Sequence, residues 1–397
     1  MSSDTRVKVT DRCAKRVPSG HLWIFDNEIR DIGGSYSNGD IVSVFDSRGN
    51  FLAKGYINEN SKIAIRILSF YEEEIGKEFF KNRIENALNH RLTLGFSLQD
   101  SFRVLFSEGD LLPGLTVDKY NNILSVQFST FGMEVWKKEI IDILKEIFSP
   151  QAIIERSDIE VREKEGLEQI KNVLYGKAEK TEIIFQDGVR FAVDLLEGHK
   201  TGFYLDQREN RKFIKTFVNG KRVLDGFSYT GGFSLYSALY GASEIVAVED
   251  SKKVMEMLNE NIRINNLENR IKAIKGDAFQ WMRDAYKNNE RFDCVILDPP
   301  SFVKAKGAKG GALRGYKDIN LLGLKLLKDR GYLLTASCSQ NVSESEFLNV
   351  LNDSAKDAKC RLQIIEIRSQ SSDHPILLSM PETHYLKFVV GRKVAMS

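Results

Sequence analysis

The stretch VLDGFSYTGGF at residues 223–233 decides the fold, because it joins an apolar strand to a glycine turn and then to a helix that begins near Phe233. Apolar runs of the same kind recur, with room for intervening helices, at 245–248, 271–274, 294–297 and 332–335. Such runs predict a mostly parallel sheet with helices on both faces, the doubly wound α/β class. Ligands of these sheets bind beyond the carboxyl ends of the strands, so the polar residues after each strand are the candidate site residues.

The turn in this stretch differs from the glycine-rich turn of dinucleotide-binding folds. Phe227 and Tyr229 stand where a GxGxxG turn would carry glycine, and only Gly231 and Gly232 allow a close backbone approach. A pyrophosphate would be poorly bound here, which disfavours a dehydrogenase that transfers hydride.

Three acidic residues follow the first three strands of this region. Glu249 lies 24 positions after Asp225, the spacing of a carboxylate that accepts both hydroxyls of an adenosine ribose, and Asp277 could bond an adenine amino group. A nucleoside that carries positive charge suits three acids, and S-adenosylmethionine has both a sulfonium and an ammonium group. Each acid alone is better explained as a helix cap or a solvated loop residue. Their joint placement favours the nucleoside site.

The fourth strand runs into Asp298-Pro299-Pro300-Ser301-Phe302. The two prolines fix the backbone and predict a stiff extended loop that presents the Asp298 carboxylate and the Pro299 carbonyl to the cleft. These groups can hydrogen-bond the edge of a base, and Phe302 could stack on it.

The fifth strand ends in Ser337-Cys338-Ser339, beside the Asp298 loop. A thiolate at this place could add to C6 of a pyrimidine and make C5 nucleophilic enough to take a methyl group. The other cysteines, Cys13, Cys294 and Cys360, are expected to be buried small hydrophobic residues. No CxxC pair is present, so neither a zinc site nor a disulfide framework is predicted.

Composition divides the 397 residues into three segments. Short β-rich runs separated by glycine turns predict a small all-β domain over residues 1–71. Mixed helical and strand patterns predict an α+β domain over 72–195, and the doubly wound domain is expected over 196–397.

The charge balance limits the kind of partner that the chain can bind. Because 57 Lys and Arg face 55 Asp and Glu, the net charge is only +2, and a nucleic-acid site must be a local patch. The candidate patch near the N-terminus contains Arg6, Lys8, Arg12, Lys15 and Arg16, followed by His21, Trp23 and Phe25. A solvated charged edge beside core aromatics explains the same residues without RNA.

No segment suggests a membrane or secreted protein. No window approaches the roughly 18–20 uncharged apolar residues of a membrane span, and residues 1–10 lack the apolar run of a secretory signal. We therefore expect a cytoplasmic protein without a membrane partner.

These motifs resemble those of class I S-adenosylmethionine-dependent RNA methyltransferases, and in particular the ribosomal RNA large subunit methyltransferase I family, the 23S rRNA cytosine-5 methyltransferases. The resemblance covers nearly the whole chain and rests on segments 202–211, 225–233, 298–300, 315–320, 337–339 and 373–375. It implies an N-terminal PUA-like RNA-binding domain, a central α+β domain and a Rossmann-like catalytic domain.

The resemblance also implies roles for single residues. The cofactor S-adenosylmethionine would be bound by Gln207, Asp225, Phe227, Tyr229, Thr230, Gly231, Glu249, Asp277 and Ala278. Cys338 would be the nucleophile and Asp298 would orient the cytosine, with no metal involved. Substrate contacts are implied for Arg208, Pro299, Pro300 and Phe302. Tyr204 would close over the cofactor or contact the RNA backbone.

One departure from the pattern leaves alternatives open. Many RNA cytosine-5 methyltransferases carry a second cysteine in the Asp298-type loop, whereas Ser301 is the nearest polar residue here. The base that removes the C5 proton is therefore not identified. Methylation of guanine N7, adenine N6 or uracil C5 in rRNA, and a non-catalytic RNA-binding ribosome-assembly factor, are the competing hypotheses. The partner is expected to be 23S rRNA or its precursor, with a homodimer as an option.

Overall fold

A computed structural model of the chain describes residues 5–302 and 309–396. Contacts between Cα atoms divide the chain into two compact units. The first unit comprises Met1–Glu182, Val193–Leu205 and Ser372–Thr383. The second unit comprises Ile183–Ala192, Asp206–Ser371 and His384–Ser397.

The first unit begins with a six-stranded sheet of order β2-β6-β5-β4-β1-β3. Its strands are β1 (Arg6–Val9), β2 (Trp23–Ile24), β3 (Ile29–Gly33), β4 (Ile41–Phe45), β5 (Phe51–Ile57) and β6 (Ile65–Ser69). The sheet confirms the predicted β-rich segment and adds one short helix, α1 (Asp11–Arg16). This helix forms because the Thr10 side chain accepts a hydrogen bond from the backbone N–H of Cys13 at 3.3 Å.

A second sheet of the first unit has the order β11-β10-β9-β8-β7. Its strands are β7 (Phe102–Phe106), β8 (Leu115–Tyr120), β9 (Ile123–Phe128), β10 (Ala152–Ser157) and β11 (Ile170–Gly176). Its helices are α2 (Lys77–Thr93), α3 (Phe131–Val135) and α4 (Lys137–Phe148). The α+β composition of this segment agrees with the prediction.

A buried ion pair joins the first sheet of the first unit to the 3-10 helix Glu163–Glu165, which lies between β10 and β11. Arg66 on β6 donates to both carboxylate oxygens of Glu165, at 2.8 and 3.1 Å, and both side chains are buried. Ser61 and Asn58 donate to the same carboxylate at 2.6 and 3.0 Å. Tyr56 of β5 also belongs to the hydrophobic core that the second sheet forms with its helices. Residues 5–71 therefore share a core with the segment that follows, and the domain boundaries at 71 and 195 stay predictions.

The second unit is built on a seven-stranded sheet of order β16-β15-β14-β17-β18-β20-β19. It contains β14 (Arg222–Asp225), β15 (Glu244–Glu249), β16 (Ile271–Lys275), β17 (Phe292–Leu297), β18 (Leu327–Ser337), β19 (Cys360–Arg368) and β20 (Lys387–Ala395). The first five strands pair in parallel, and β20 runs antiparallel to its neighbours. This topology confirms the predicted doubly wound class.

Helices connect these strands, and a hairpin precedes them. The helices are α5 (Arg208–Phe213), α6 (Lys215–Val218), α7 (Gly232–Leu239), α8 (Lys252–Ile264), α9 (Ala278–Lys287), α10 (Lys309–Leu326) and α11 (Glu344–Asp357). The hairpin is β12 (Thr181–Gln186) with β13 (Val189–Asp194). Short 3-10 helices lie at Val17–Ser19, Asp26–Glu28, Ser107–Asp110, Glu163–Glu165, Leu205–Gln207 and Pro381–Thr383.

Side-chain caps fix where several helices begin. Ser251 caps α8, Asp277 caps α9, and Ser343 forms a capping box with Glu346 at the start of α11. Each cap stands in the loop that follows a strand of the sheet. Over the ranges 5–302 and 309–396, no helix has the length and apolar character needed to span a membrane.

The buried pair in the first unit gives a stability prediction. Arg66→Met leaves the Glu165 carboxylate buried without its cation, which should destabilise the fold by about 3–5 kcal/mol. The double variant Arg66→Met, Glu165→Met removes both charges and should recover much of that loss. Thermal unfolding of the full chain measures both, with the exposed Arg263→Ala as a control that should not change the melting temperature. Equal destabilisation in the single and double variants would contradict this account.

Candidate active site

Asp225 is a buried carboxylate at the carboxyl end of β14. The Ser234 hydroxyl donates to its Oδ2 at 2.6 Å, and within the described residues its Oδ1 has no hydrogen-bond partner. Burial raises the pKa of Asp225 to about 6, the hydrogen bond from Ser234 opposes this, and the charge of Glu249 adds to the rise. An open carboxylate oxygen in a dry place favours a ligand that brings a hydrogen-bond donor or a positive charge.

The glycine turn after Asp225 has the backbone geometry that its sequence predicts. Gly231 has φ +94° and begins α7, and a Cβ atom there would lie 2.7 Å from the Leu258 side chain. Tyr229 also has positive φ, at 47°. The carbonyl of Thr230 accepts a hydrogen bond from Asn261 at 2.8 Å, which holds the turn. In the described part of the chain the buried Thr230 hydroxyl has no partner.

Glu249 is the last residue of β15 and Asp277 follows β16, and the two carboxylates have different surroundings. Burial raises the pKa of Glu249, while backbone N–H groups, including that of Ser251 at 2.8 Å, oppose the rise. Asp277 is exposed, and its Oδ1 accepts the backbone N–H of Gln280 at 2.7 Å. Asp277 therefore caps α9, the structural role that its sequence position also allowed. Ala278, the first residue of that helix, is buried.

Four aromatic rings form a continuous contact from the glycine turn to α10. Phe227 meets Phe279 edge to face at 6.2 Å between ring centroids, and Phe279 meets Phe302 at 6.0 Å. Phe302 then packs on Tyr316 at 4.8 Å. The half-buried ring of Phe302 thus has protein neighbours on both sides, next to the exposed Pro300.

A buried arginine, Arg211 on α5, lies close to this site. Its Nη2 donates to Gln186 at 3.0 Å, and a Cβ atom on Gly232 would lie 3.2 Å from its Nη1. Burial lowers the pKa of Arg211, and Tyr236 and carboxylates including Asp298 oppose that shift. Arg211 lies in the segment 202–211, but the sequence predicted no role for it because its charge partners come from distant segments.

Residues just before α5 differ in how their side chains are engaged. Gln207 is buried, its Oε1 accepts from Asn210 at 2.7 Å, and no partner of its Nε2 is found among the described residues. Arg208 makes a bidentate ion pair with Asp187 at 2.8 and 2.9 Å. Tyr204 belongs to the first unit, with the Lys200 ammonium 4.4 Å from its ring centroid. Gln207 is therefore the member of this group with an open donor.

Cys338 differs from the other cysteines in its exposure. Cys13, Cys294 and Cys360 are buried, as expected, and burial raises the pKa of each thiol, to about 12 for Cys13. Cys338 is half-buried and directly follows β18, which pairs with the strand that leads to Asp298. Cys338, the cysteine that the motif selects, is therefore the least buried of the four.

A polar bridge links the Cys338 loop to the Asp298 loop. The hydroxyl of Ser339 lies 2.8 Å from that of Ser301 and 3.0 Å from that of Tyr316. Burial raises the pKa of Tyr316, and hydrogen bonds with Ser337 and Ser339 oppose the rise. Lys387 on β20 donates to the carbonyl of Ser339 at 2.7 Å. Neither Tyr316 nor Lys387 was singled out from the sequence as a site residue, since they approach Cys338 only in the fold.

Within residues 5–302 and 309–396, no group of three or more His, Cys, Asp or Glu side chains could hold a metal ion. What the edge of the sheet offers is a buried carboxylate, open hydrogen-bonding groups and an accessible thiol.

Comparison with known proteins places this site in a family. Residues 7–70 match a PUA-like domain family, and residues 161–377 match the S-adenosylmethionine-dependent methyltransferase family. The chain is 40% identical to a ribosomal RNA large subunit methyltransferase I from Tolumonas auensis, over 94% of this chain and 96% of the relative. A protein of the same name from Shewanella frigidimarina is also 40% identical, over 98% and 99% of the two chains.

Solved structures show the same fold at lower identity. A protein from Streptococcus mutans, described as a candidate S-adenosylmethionine-dependent methyltransferase, has a TM-score of 0.84 and 21% identity, covering 98% of this chain and 99% of its own. A candidate methyltransferase solved with S-adenosylhomocysteine (SAH) has a TM-score of 0.85 and 20% identity, with the same coverage. The chain therefore belongs to the S-adenosylmethionine-dependent methyltransferases and, among them, to the ribosomal RNA large subunit methyltransferase I family.

Proposed function

We propose that this protein methylates C5 of a cytosine in large-subunit ribosomal RNA through a covalent adduct with Cys338. The single observation that carries this proposal is the accessible Cys338 thiol at the carboxyl end of β18, next to the strand of Asp298. The names of the relatives support ribosomal RNA as the substrate, and the PUA-like match supports RNA binding by the first unit.

The residues around β14 fit the cofactor of this family. When bound, S-adenosylmethionine supplies an electrophilic methyl group. The open oxygen of Asp225 and the open donor of Gln207 are suited to its ammonium and carboxylate groups, and Thr230 offers a third open polar group. The other proposed contacts are Phe227, Tyr229, Gly231, Glu249, Asp277 and Ala278. The positive φ of Gly231 and the Leu258 side chain beside it both require glycine, which fixes the path of the turn.

Cys338 would attack the cytosine base, and Asp298 would orient it. The Cys338 thiolate adds to C6, which forms an S–C bond and moves the C5–C6 electron pair so that C5 becomes a nucleophile. Asp298 accepts a hydrogen bond from the exocyclic amino group of cytosine, a pairing that carboxylates favour. After C5 has gained its methyl group, a base removes the C5 proton, and the electron pair left behind expels the thiolate. Pro299, Pro300 and Phe302 are proposed to shape the pocket for the base.

The competing hypotheses differ in what they require of these two residues. Transfer to guanine N7 or adenine N6 needs no thiol, so it leaves Cys338 without a role. Uracil C5 would use the thiol but offers no amino group to Asp298. A non-catalytic ribosome-assembly factor would need neither an accessible thiol nor a buried open carboxylate.

The N-terminal basic cluster is proposed to contact RNA phosphates, although the side chain of one member, Arg16, already forms an ion pair within the protein. Arg16 is paired with Glu28, so it supports the fold. Arg6 lies 4.0 Å above the Phe45 ring, while Lys8 and Arg12 are exposed. Three further expectations stay predictions from the sequence. They are a contact between Arg208 and RNA, a cytoplasmic location and a homodimer.

Loss of the Cys338 thiol should stop the reaction. In the Cys338→Ala variant, methyl transfer to rRNA should fall by at least about a thousandfold, because the covalent step is removed, while S-adenosylmethionine binding stays intact. Transfer of a tritiated methyl group and mass spectrometry of the nucleosides measure the outcome, with Cys360→Ala as the matched control. Full activity of Cys338→Ala would remove the covalent mechanism. A methylated purine would favour the nitrogen-transfer alternatives, and RNA binding without methyl transfer by the unmodified protein would favour the assembly factor.

Cofactor affinity should depend on the charge of Asp225. Since its pKa is raised to about 6, the carboxylate gains a proton as the pH falls through 6, and affinity for the cationic cofactor should fall about tenfold per pH unit below that value. Asp225→Asn should bind more weakly at pH 7.5 and lose most of this pH dependence. Calorimetric titration with S-adenosylmethionine checks both points, with the exposed Asp284→Asn as the control. A pH profile unchanged by Asp225→Asn would contradict the assignment.

RNA affinity should fall steeply with salt if the N-terminal cluster contacts phosphates. The double variant Lys8→Ala, Arg12→Ala should weaken binding. The plot of log affinity against log salt should become less steep by the amount that roughly two phosphate contacts contribute. Filter binding of rRNA fragments at several salt concentrations measures the slope, and the exposed Lys287→Ala is the control. An unchanged slope would show that the first unit binds RNA by other groups.

A further inference from the structure

Lys387 is a buried lysine whose place in the fold brings it to the Cys338 loop. It is the first residue of β20 and pairs in register with Ser337 of β18. Its Nζ donates to the carbonyl of Ser339 at 2.7 Å and to the carbonyl of Val342 at 2.8 Å. The two carbonyls belong to the segment that leaves Cys338, so one side chain fixes the backbone directly after the thiol.

The Lys387 ammonium donates these two hydrogen bonds to backbone carbonyl groups. Among the described residues it makes no ion pair within 4.0 Å. The titratable groups that act on it are Cys338 and, from the start of α11, Glu344 and Glu346. Glu346 is already paired with Lys309 at 2.7 Å, which leaves Cys338 as the first of the groups that favour the charged form.

Burial lowers the pKa of Lys387 to about 8, and a negative charge at Cys338 acts against this shift. At neutral pH the ammonium form is therefore still the major one. Electrostatic coupling is reciprocal, so a thiolate that favours the ammonium is favoured by it in return.

We propose that Lys387 is a positioning residue that holds the Cys338 loop through two carbonyl groups and, by its positive charge, stabilises the Cys338 thiolate. This inference rests on the proposed function, in which that thiolate attacks the base. The thiol proton leaves to solvent, and at neutral pH the ammonium keeps its own proton.

A purely structural role is the alternative, and the chemistry of the side chain separates the two. A neutral amide can donate to a backbone carbonyl without the cost of burying a charge. If only the loop had to be tied, the charge would contribute nothing. Lys387→Gln therefore keeps a donor and removes the charge, while Lys387→Arg keeps the charge.

Alkylation of Cys338 by iodoacetamide tests the charge directly, because the thiolate is the reacting form. The full-length protein is treated at pH 6 to 9.5, and the peptide that contains Cys338 is quantified by mass spectrometry. For Lys387→Gln we expect alkylation at pH 7 to be about tenfold slower than in the unmodified protein, with the half-maximal pH about one unit higher. Lys387→Arg should keep the half-maximal pH at or below that of the unmodified protein. The Cys338→Ala variant serves as the blank, because any alkylation that it still shows comes from the buried cysteines.

The proposal is overturned if Lys387→Gln changes the rate by the same factor at every pH, since a loop defect alone does this. Thermal unfolding and S-adenosylmethionine binding establish that the variants are folded. If Lys387→Gln does not fold, Lys387→Arg still decides, because an upward shift of its half-maximal pH contradicts a role for the charge. Alkylation requires no methyl transfer, so this result is independent of whether Cys338→Ala remains active.

Discussion

The candidate site depends on the parallel pairing of five neighbouring strands, which lie side by side in the order β16-β15-β14-β17-β18. Parallel strands end at the same edge of a sheet, so residues far apart in sequence meet there. Asp225, Glu249, Asp298 and Cys338 all lie at or directly after these strand ends. The antiparallel β20 then begins where β18 ends, and it brings Lys387 to the same edge.

Two buried carboxylates, Glu165 and Asp225, differ in how fully their hydrogen bonds are satisfied. In the first unit, the Glu165 carboxylate is surrounded by donors from Arg66, Ser61 and Asn58. In the second unit, Asp225 and Gln207 each keep an open polar atom within the described residues. An unsatisfied buried group costs free energy of folding, which a ligand that completes its hydrogen bonds restores. The open atoms therefore favour a binding site over a merely structural role for the strand ends.

Sequence reasoning found the parts of this site that local patterns encode. The five parallel strands, the glycine turn around Gly231 and the place of Cys338 at a strand end follow from hydrophobic runs and turn residues within short windows. The capping bond of Asp277 and the ion pair of Arg208 with Asp187 were not resolved, because several roles fit the same residue types. Lys387 could not be found at all, since its partner carbonyls lie about 45 positions away and β20 carries no motif.

Ser301 is the nearest polar residue after the prolines of the Asp298 loop, in which many RNA cytosine-5 methyltransferases carry a second cysteine. Its hydroxyl is hydrogen-bonded to Ser339, next to Cys338, so it joins the two loops that are proposed to bind and attack the base. A serine hydroxyl is far less acidic than a thiol and is not ionised at neutral pH without a strong base, so it cannot take over nucleophilic work. Tyr316 bonds the same Ser339 hydroxyl from the side of α10. Both contacts restrain the residue that directly follows Cys338, the nucleophile of the proposed mechanism.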